Sequence, residues 1–81
     1  MFEEFRQLLI KHMMRSVNDR YAILSGIGVG NNVLLGMTLE NSAWVAGMKA
    51  ADNIRSAYSD NEILALFEKL KNVEMPEWYK D

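Results

Sequence analysis

Trp44-Val45-Ala46-Gly47-Met48-Lys49-Ala50-Ala51-Asp52-Asn53-Ile54-Arg55-Ser56-Ala57-Tyr58 is the stretch that decides the fold. Trp44, Gly47, Met48, Ala51, Ile54, Arg55 and Tyr58 recur at steps of three and four, the period of an α-helix. Trp44 lies on that stripe and is expected in the core. Ala43, Ala46, Gly47, Ala50 and Ala51 allow a neighbouring backbone to come close. A glycine inside a helix costs about 1 kcal/mol relative to alanine, so Gly47 implies that a larger side chain would collide there. Thr38 or Asn41 is the expected cap at the start of this helix.

Downstream, Ser59-Asp60-Asn61-Glu62 forms a capping box: Ser59 accepts from the Glu62 amide while the Glu62 carboxylate reaches back. The helix it opens should run from Asp60 to about Asn72 and bury Ile63, Leu66, Phe67 and Leu70. Pro76 ends any continuation and leaves a tail, Glu77-Trp78-Tyr79-Lys80-Asp81. Trp78 and Tyr79 have two open readings, folding back over the domain or docking on another chain.

Upstream, Phe2, Phe5, Leu9 and Met13, flanked by Leu8 and His12, mark an amphipathic helix from Phe2 to about Arg15. Glu3 and Glu4 at its start and Lys11 and Arg15 at its end suit the helix dipole. Ser16, Asn18 or Asp19 caps a restart; alternatively the helix continues through Val17, Tyr21 and Leu24. Ser25 to Asn32 holds three glycines and two asparagines and reads as a loop. Periodicity does not assign Val33-Leu34-Leu35-Gly36-Met37. The expected architecture is all-α, a single domain over residues 1–75 of three helices, or four with the restart, joined by a glycine-rich interhelical loop, with a tail at 76–81.

At 81 residues a chain buries only about 60 to 65% of the surface its unfolded form exposes, so association should add needed stability. The absence of cysteine removes disulfides and thiolate metal sites as alternatives. Nine Lys and Arg against eleven Asp and Glu provide no basic surface for nucleic acid, beyond a local group of Lys11, Arg15 and Arg20 that reads as a solvated helix face. The uncharged run from Tyr21 to Leu39 is interrupted by four glycines and polar residues, which hydrocarbon penalises, so a membrane span is not expected. The acidic start Met1-Phe2-Glu3-Glu4 does not resemble a signal peptide, and a cytoplasmic protein is expected.

Catalytic chemistry has little to work with. Gly26-Ile27-Gly28-Val29-Gly30 lacks the preceding strand and following helix of a nucleotide fingerprint, and no Gly-Lys-Ser/Thr follows. His12, the one histidine, lacks the partners a metal or general base needs and reads as a partly buried structural residue. Neighbours Glu3 and Glu4 point about 100° apart on a helix and cannot hold a substrate jointly. No enzyme activity and no cofactor is expected.

Ser42-Ala43-Trp44-Val45-Ala46-Gly47-Met48-Lys49 resembles the aromatic-x-x-Gly-x-basic element of a family of short tailed-phage proteins encoded among virion-assembly genes. The similarity extends at most over residues 17 to 70 and rests on Trp44, Gly47 and Lys49; the family's Arg-Asn after the glycine is replaced by Met48-Lys49-Ala50. The resemblance implies a phage structural or accessory protein and no activity. The expected function is therefore a noncatalytic interaction subunit that self-associates or joins a larger assembly, its interface drawn from Trp44, Gly47, Met48, Lys49, Met75, Trp78 and Tyr79. The alternatives are an inhibitor or adaptor of one host protein, and a nucleotide-binding oligomer using the Gly26 to Asn32 amides with Lys11, Arg15 and Arg20.

Overall fold

A computed structural model describes residues 1–34 and 42–75, and every regular element among them is helical. Their order is α1 (Phe2–His12), α2 (Val17–Gly26), α3 (Asn31–Leu34), α4 (Ala43–Ala57) and α5 (Asp60–Lys71). The chain is all-α, with five helices in the described residues where the sequence suggests three or four. The restart is real: Ser16 caps α2 by accepting from the Asp19 amide at 3.3 Å. The additional element is α3, a single turn inside the stretch read as loop and unassigned chain; Val33 and Leu34 are buried in it, whereas Leu35, Gly36 and Met37 lie outside the described residues.

The glycine-rich loop is shorter than its composition suggests, because α2 continues to Gly26. Only residues 27–30 separate α2 from α3. Gly28 makes the reversal, with φ +106°, a conformation that side chains disfavour. Its amide donates to Ser25 O at 3.1 Å and the Val29 amide to Leu24 O at 2.9 Å, the paired bonds of a Schellman end. Leu24 and Val29, both buried, provide the apolar contact of that motif.

Ser42, not Thr38 or Asn41, caps α4, its hydroxyl accepting from the Val45 amide at 3.3 Å; the other two candidates lie outside the described residues. Ser59 and Glu62 form the expected capping box on α5. The Ser59 amide donates to the Glu62 carboxylate at 2.9 Å, which together with the Ser59 side chain holds that carboxyl below its ordinary range.

The packing is built around α1. Its C-terminal half meets the N-terminal half of α4 where Ile10 lies against Gly47. Its first turn meets the end of α4 where Arg55 stacks on the Phe2 ring at 4.6 Å, so α1 and α4 are antiparallel. On its other flank Phe5 meets Phe67 of α5 edge to face, centroids 5.9 Å apart. Phe5, Leu9, Met13, Leu34, Ile54 and Leu70 form the fully enclosed centre. The turn α3 is fastened to α4 from two sides: Asn53 Nδ2 donates to Val33 O at 3.2 Å, and the Gly30 amide donates to the Tyr58 hydroxyl at 3.0 Å.

Candidate functional site

The buried stripe of α4 runs through Ala46, Gly47, Ala50, Ala51 and Ile54. At 100° per residue Trp44 falls about 90° from the middle of that stripe. Its side chain is 59% exposed, so the expectation that it enters the core is overturned. The reason is steric: α1 approaches α4 so closely that only small side chains fit between them. An added Cβ on Gly47 would lie 2.5 Å from Ile10 Cγ1 and 2.6 Å from Ile10 Cα. Ile54 enters the core further along the stripe, whereas Trp44 and Met48 are displaced to a flank.

The seven proposed interface residues consequently separate. Trp44 and half-buried Met48 share one flank of α4. Gly47 is buried and turned toward α1. Lys49 is exposed about 140° round the helix from Trp44. Met75 is half-buried after the end of α5, and Trp78 and Tyr79 lie outside the described residues. Trp44 with Met48 is thus the part of the set that forms one outward apolar patch.

The basic group Lys11, Arg15 and Arg20 is not a solvated face. Arg20 is 5% exposed and donates through Nε to Met13 O at 2.7 Å, closing the carbonyl end of α1. Arg15 is half-buried; one of its terminal nitrogens lies 3.1 Å from His12 Nδ1 and also donates to Glu74 O. Arginine has only donors, so Nδ1 accepts and the proton of neutral His12 sits on Nε2. His12 is enclosed, not partly buried, at 1% exposure. Burial, then the Arg15 charge, lowers its pKa from 6.5 to about 4.

These bonds also bear on the nucleotide reading. The amides of Gly28, Val29 and Gly30 all donate to internal acceptors, which leaves them unavailable as a phosphate cradle. Two of the three cations assigned to that site, Arg15 and Arg20, hold carbonyl groups of the fold.

Two surface depressions lie among the described residues. One, between α2 and α5, is walled by Ala22, Ile23, Ile27 and Val73 with Lys69 and Asn72 at its rim. The other, between α1 and α5, has Leu8 and Phe67 as its floor. This second groove is not evident from the apolar periodicity of α1, in which Leu8 is a flank of the core stripe. A signal was present: Glu4, Leu8 and Lys11 recur at steps of four and three on the outer side of α1.

Among the described residues no three of His, Cys, Asp and Glu are grouped to hold a metal ion, and no helix is long and apolar enough to cross a membrane. No protein-family model, curated protein or solved structure matches the chain.

Proposed function

We propose that the chain is a noncatalytic protein-interaction subunit, a small structural or accessory component of a phage virion, which docks on its partner through the Trp44 end of α4. The observation that carries this reading is the 59% exposure of Trp44. Tryptophan combines a large apolar area with few rotatable bonds, so it gains much and loses little when a partner covers it, and it is enriched among residues that dominate interface energies. Met48 beside it adapts to irregular surfaces. A small core gains stability from any partner that binds only the folded state.

The phage assignment rests on the resemblance around Trp44 and Lys49. Gly47 adds nothing to it, since contact with Ile10 already accounts for that glycine. This reading places the chain in the host cytoplasm before incorporation into the particle.

Site-specific photo-cross-linking tests it. A benzophenone amino acid replaces Trp44 in one variant and exposed Ser56, about 120° away on α4, in a control. In producing cells position 44 should yield one discrete adduct with a virion protein, and position 56 none. No adduct from position 44, or the same adducts from both positions, rules the docking surface out. A single adduct with a host protein would instead assign the surface to an inhibitor or adaptor.

A further inference from the structure

The groove between α1 and α5 is rimmed by charges of both signs. Glu3 and Glu4 stand at one end and Lys11 at the other, while Lys71 reaches back over the middle. These are opposite ends because the two helices run in the same direction: Phe5 meets Phe67, and further along Arg15 meets Glu74. Between them the floor is apolar, Leu8 half-buried and Phe67 under the Lys71 ammonium at 4.3 Å. Leu64 shares the outer face of α5 with Phe67 and Lys71 and is 44% exposed. Met1, one turn before Glu4, is 47% exposed.

Not all of these charges are equally available. Glu3 accepts from Arg6 and, at 3.1 Å, from Gln7, bonds that lower its pKa, Arg6 first. Lys71 pairs with Glu68 at 3.2 Å. Among the described residues Glu4 has the Met1 ammonium as its ion-pair partner, at 3.8 Å, and Lys11 has none. Glu4 and Lys11 are seven residues apart, hence two turns apart on one face of α1.

We infer that this groove is the two-fold interface of a homodimer. A surface that is acidic at one end, basic at the other and apolar in the middle is complementary to itself after a half-turn about an axis through its centre, near Gln7 and Leu8. That operation sets Glu4 of each copy against Lys11 of the other and brings the two Leu8 side chains together at the axis. Closed two-fold pairing is the commonest way for one patch to satisfy itself. The two α1 helices lie antiparallel, so their dipoles attract as well. The Trp44 flank belongs to α4 and stays outside the interface, so the dimer neither requires nor replaces the docking proposed above.

Light scattering with sedimentation equilibrium tests the pairing. The 9.3 kDa chain should show twice its mass at high micromolar concentration. Glu4→Lys and Lys11→Glu should each weaken dimerisation by about tenfold or more, since each turns two attractions into two repulsions. An equimolar mixture of the two variants should form a heterodimer, because two basic ends then meet two acidic ends, and the double variant E4K/K11E should regain the homodimer. Where a single variant loses its helical circular dichroism, Glu4→Gln and Lys11→Gln replace it, and each should weaken the dimer without reversing a charge. Trp44→Ser should leave the dimer intact, which separates failure of this inference from failure of the docking reading. A monomeric parent, single variants that pair as well as the parent, or a mixture that stays monomeric each overturns the two-fold interface.

Discussion

Gly47 shows how much one hydrogen atom decides. Alanine there would gain about 1 kcal/mol of helix propensity. Its Cβ would also stand 2.6 Å from Ile10 Cα, a backbone atom that cannot rotate aside. Overpacking of this kind costs about 1 to 3 kcal/mol, so Gly47→Ala should lower stability despite the better propensity, and Gly47→Leu should lower it further. Gly26 is the counterexample in the same chain. It is the last residue of α2, and an added Cβ would meet nothing within 4 Å. Gly26→Ala should therefore stabilise, by up to about 1 kcal/mol. Urea denaturation of the three variants measures both signs, and a Gly47→Ala protein as stable as the parent would mean that the α1–α4 contact is looser than described.

At the scale of elements, α3 is the clearest case of tertiary structure making a helix. Four residues cannot sustain a helix in water, and α3 persists because Asn53 and Tyr58 of the α4 region hold Val33 O and the Gly30 amide. Tyr58→Phe removes the acceptor of a half-buried donor, which should cost about 1 to 2 kcal/mol. Native-state hydrogen exchange should show faster exchange at residues 30–34 with α1 and α4 unchanged; protection equal to the parent's would show that the Tyr58 bond is dispensable. The elements legible in the sequence, α1, α4 and α5, are those with an apolar stripe at helical spacing, and α1 is among them although no side chain caps its start. By contrast, α2 buries Arg20 beside Leu24, and a helix that turns an arginine inward has no stripe to read. Gly28 was indistinguishable from Gly26 by composition, although one reverses the chain and the other ends a helix. Trp44 misled because its size drew the predicted stripe toward itself, while the real contact selects for smallness. The groove that carries the dimer inference was half legible: the charges were visible on α1, but their alignment with Leu64, Phe67 and Lys71 depends on how α5 docks.

Over the whole molecule, stability should depend on pH through His12, the one histidine of the chain. Its pKa in the fold is about 4, below the ordinary 6.5, so the unfolded chain binds the extra proton between those values. Its contribution is complete above about pH 6.5 and is lost as pH falls toward 4, with a slope of up to about 1.4 kcal/mol per pH unit. Urea denaturation from about pH 7 to about pH 5 should show this slope in the parent and a nearly flat profile in His12→Gln, since most carboxylates titrate lower. Parallel profiles would assign the pH dependence elsewhere. His12 also sits where α1 ends and where Arg15 reaches Glu74, far along the chain. That long-range arrangement bears on synthesis. Helix α1 emerges from the ribosome before α4 and α5, yet the surfaces that cover its apolar side belong to those two helices. At about 5 to 20 residues per second, the interval between translation of Met13 and of Leu70 is on the order of three to ten seconds. For that time the nascent chain presents Phe5, Leu9 and Met13 without their native cover, a window in which chaperones compete with the fold for the same stripe.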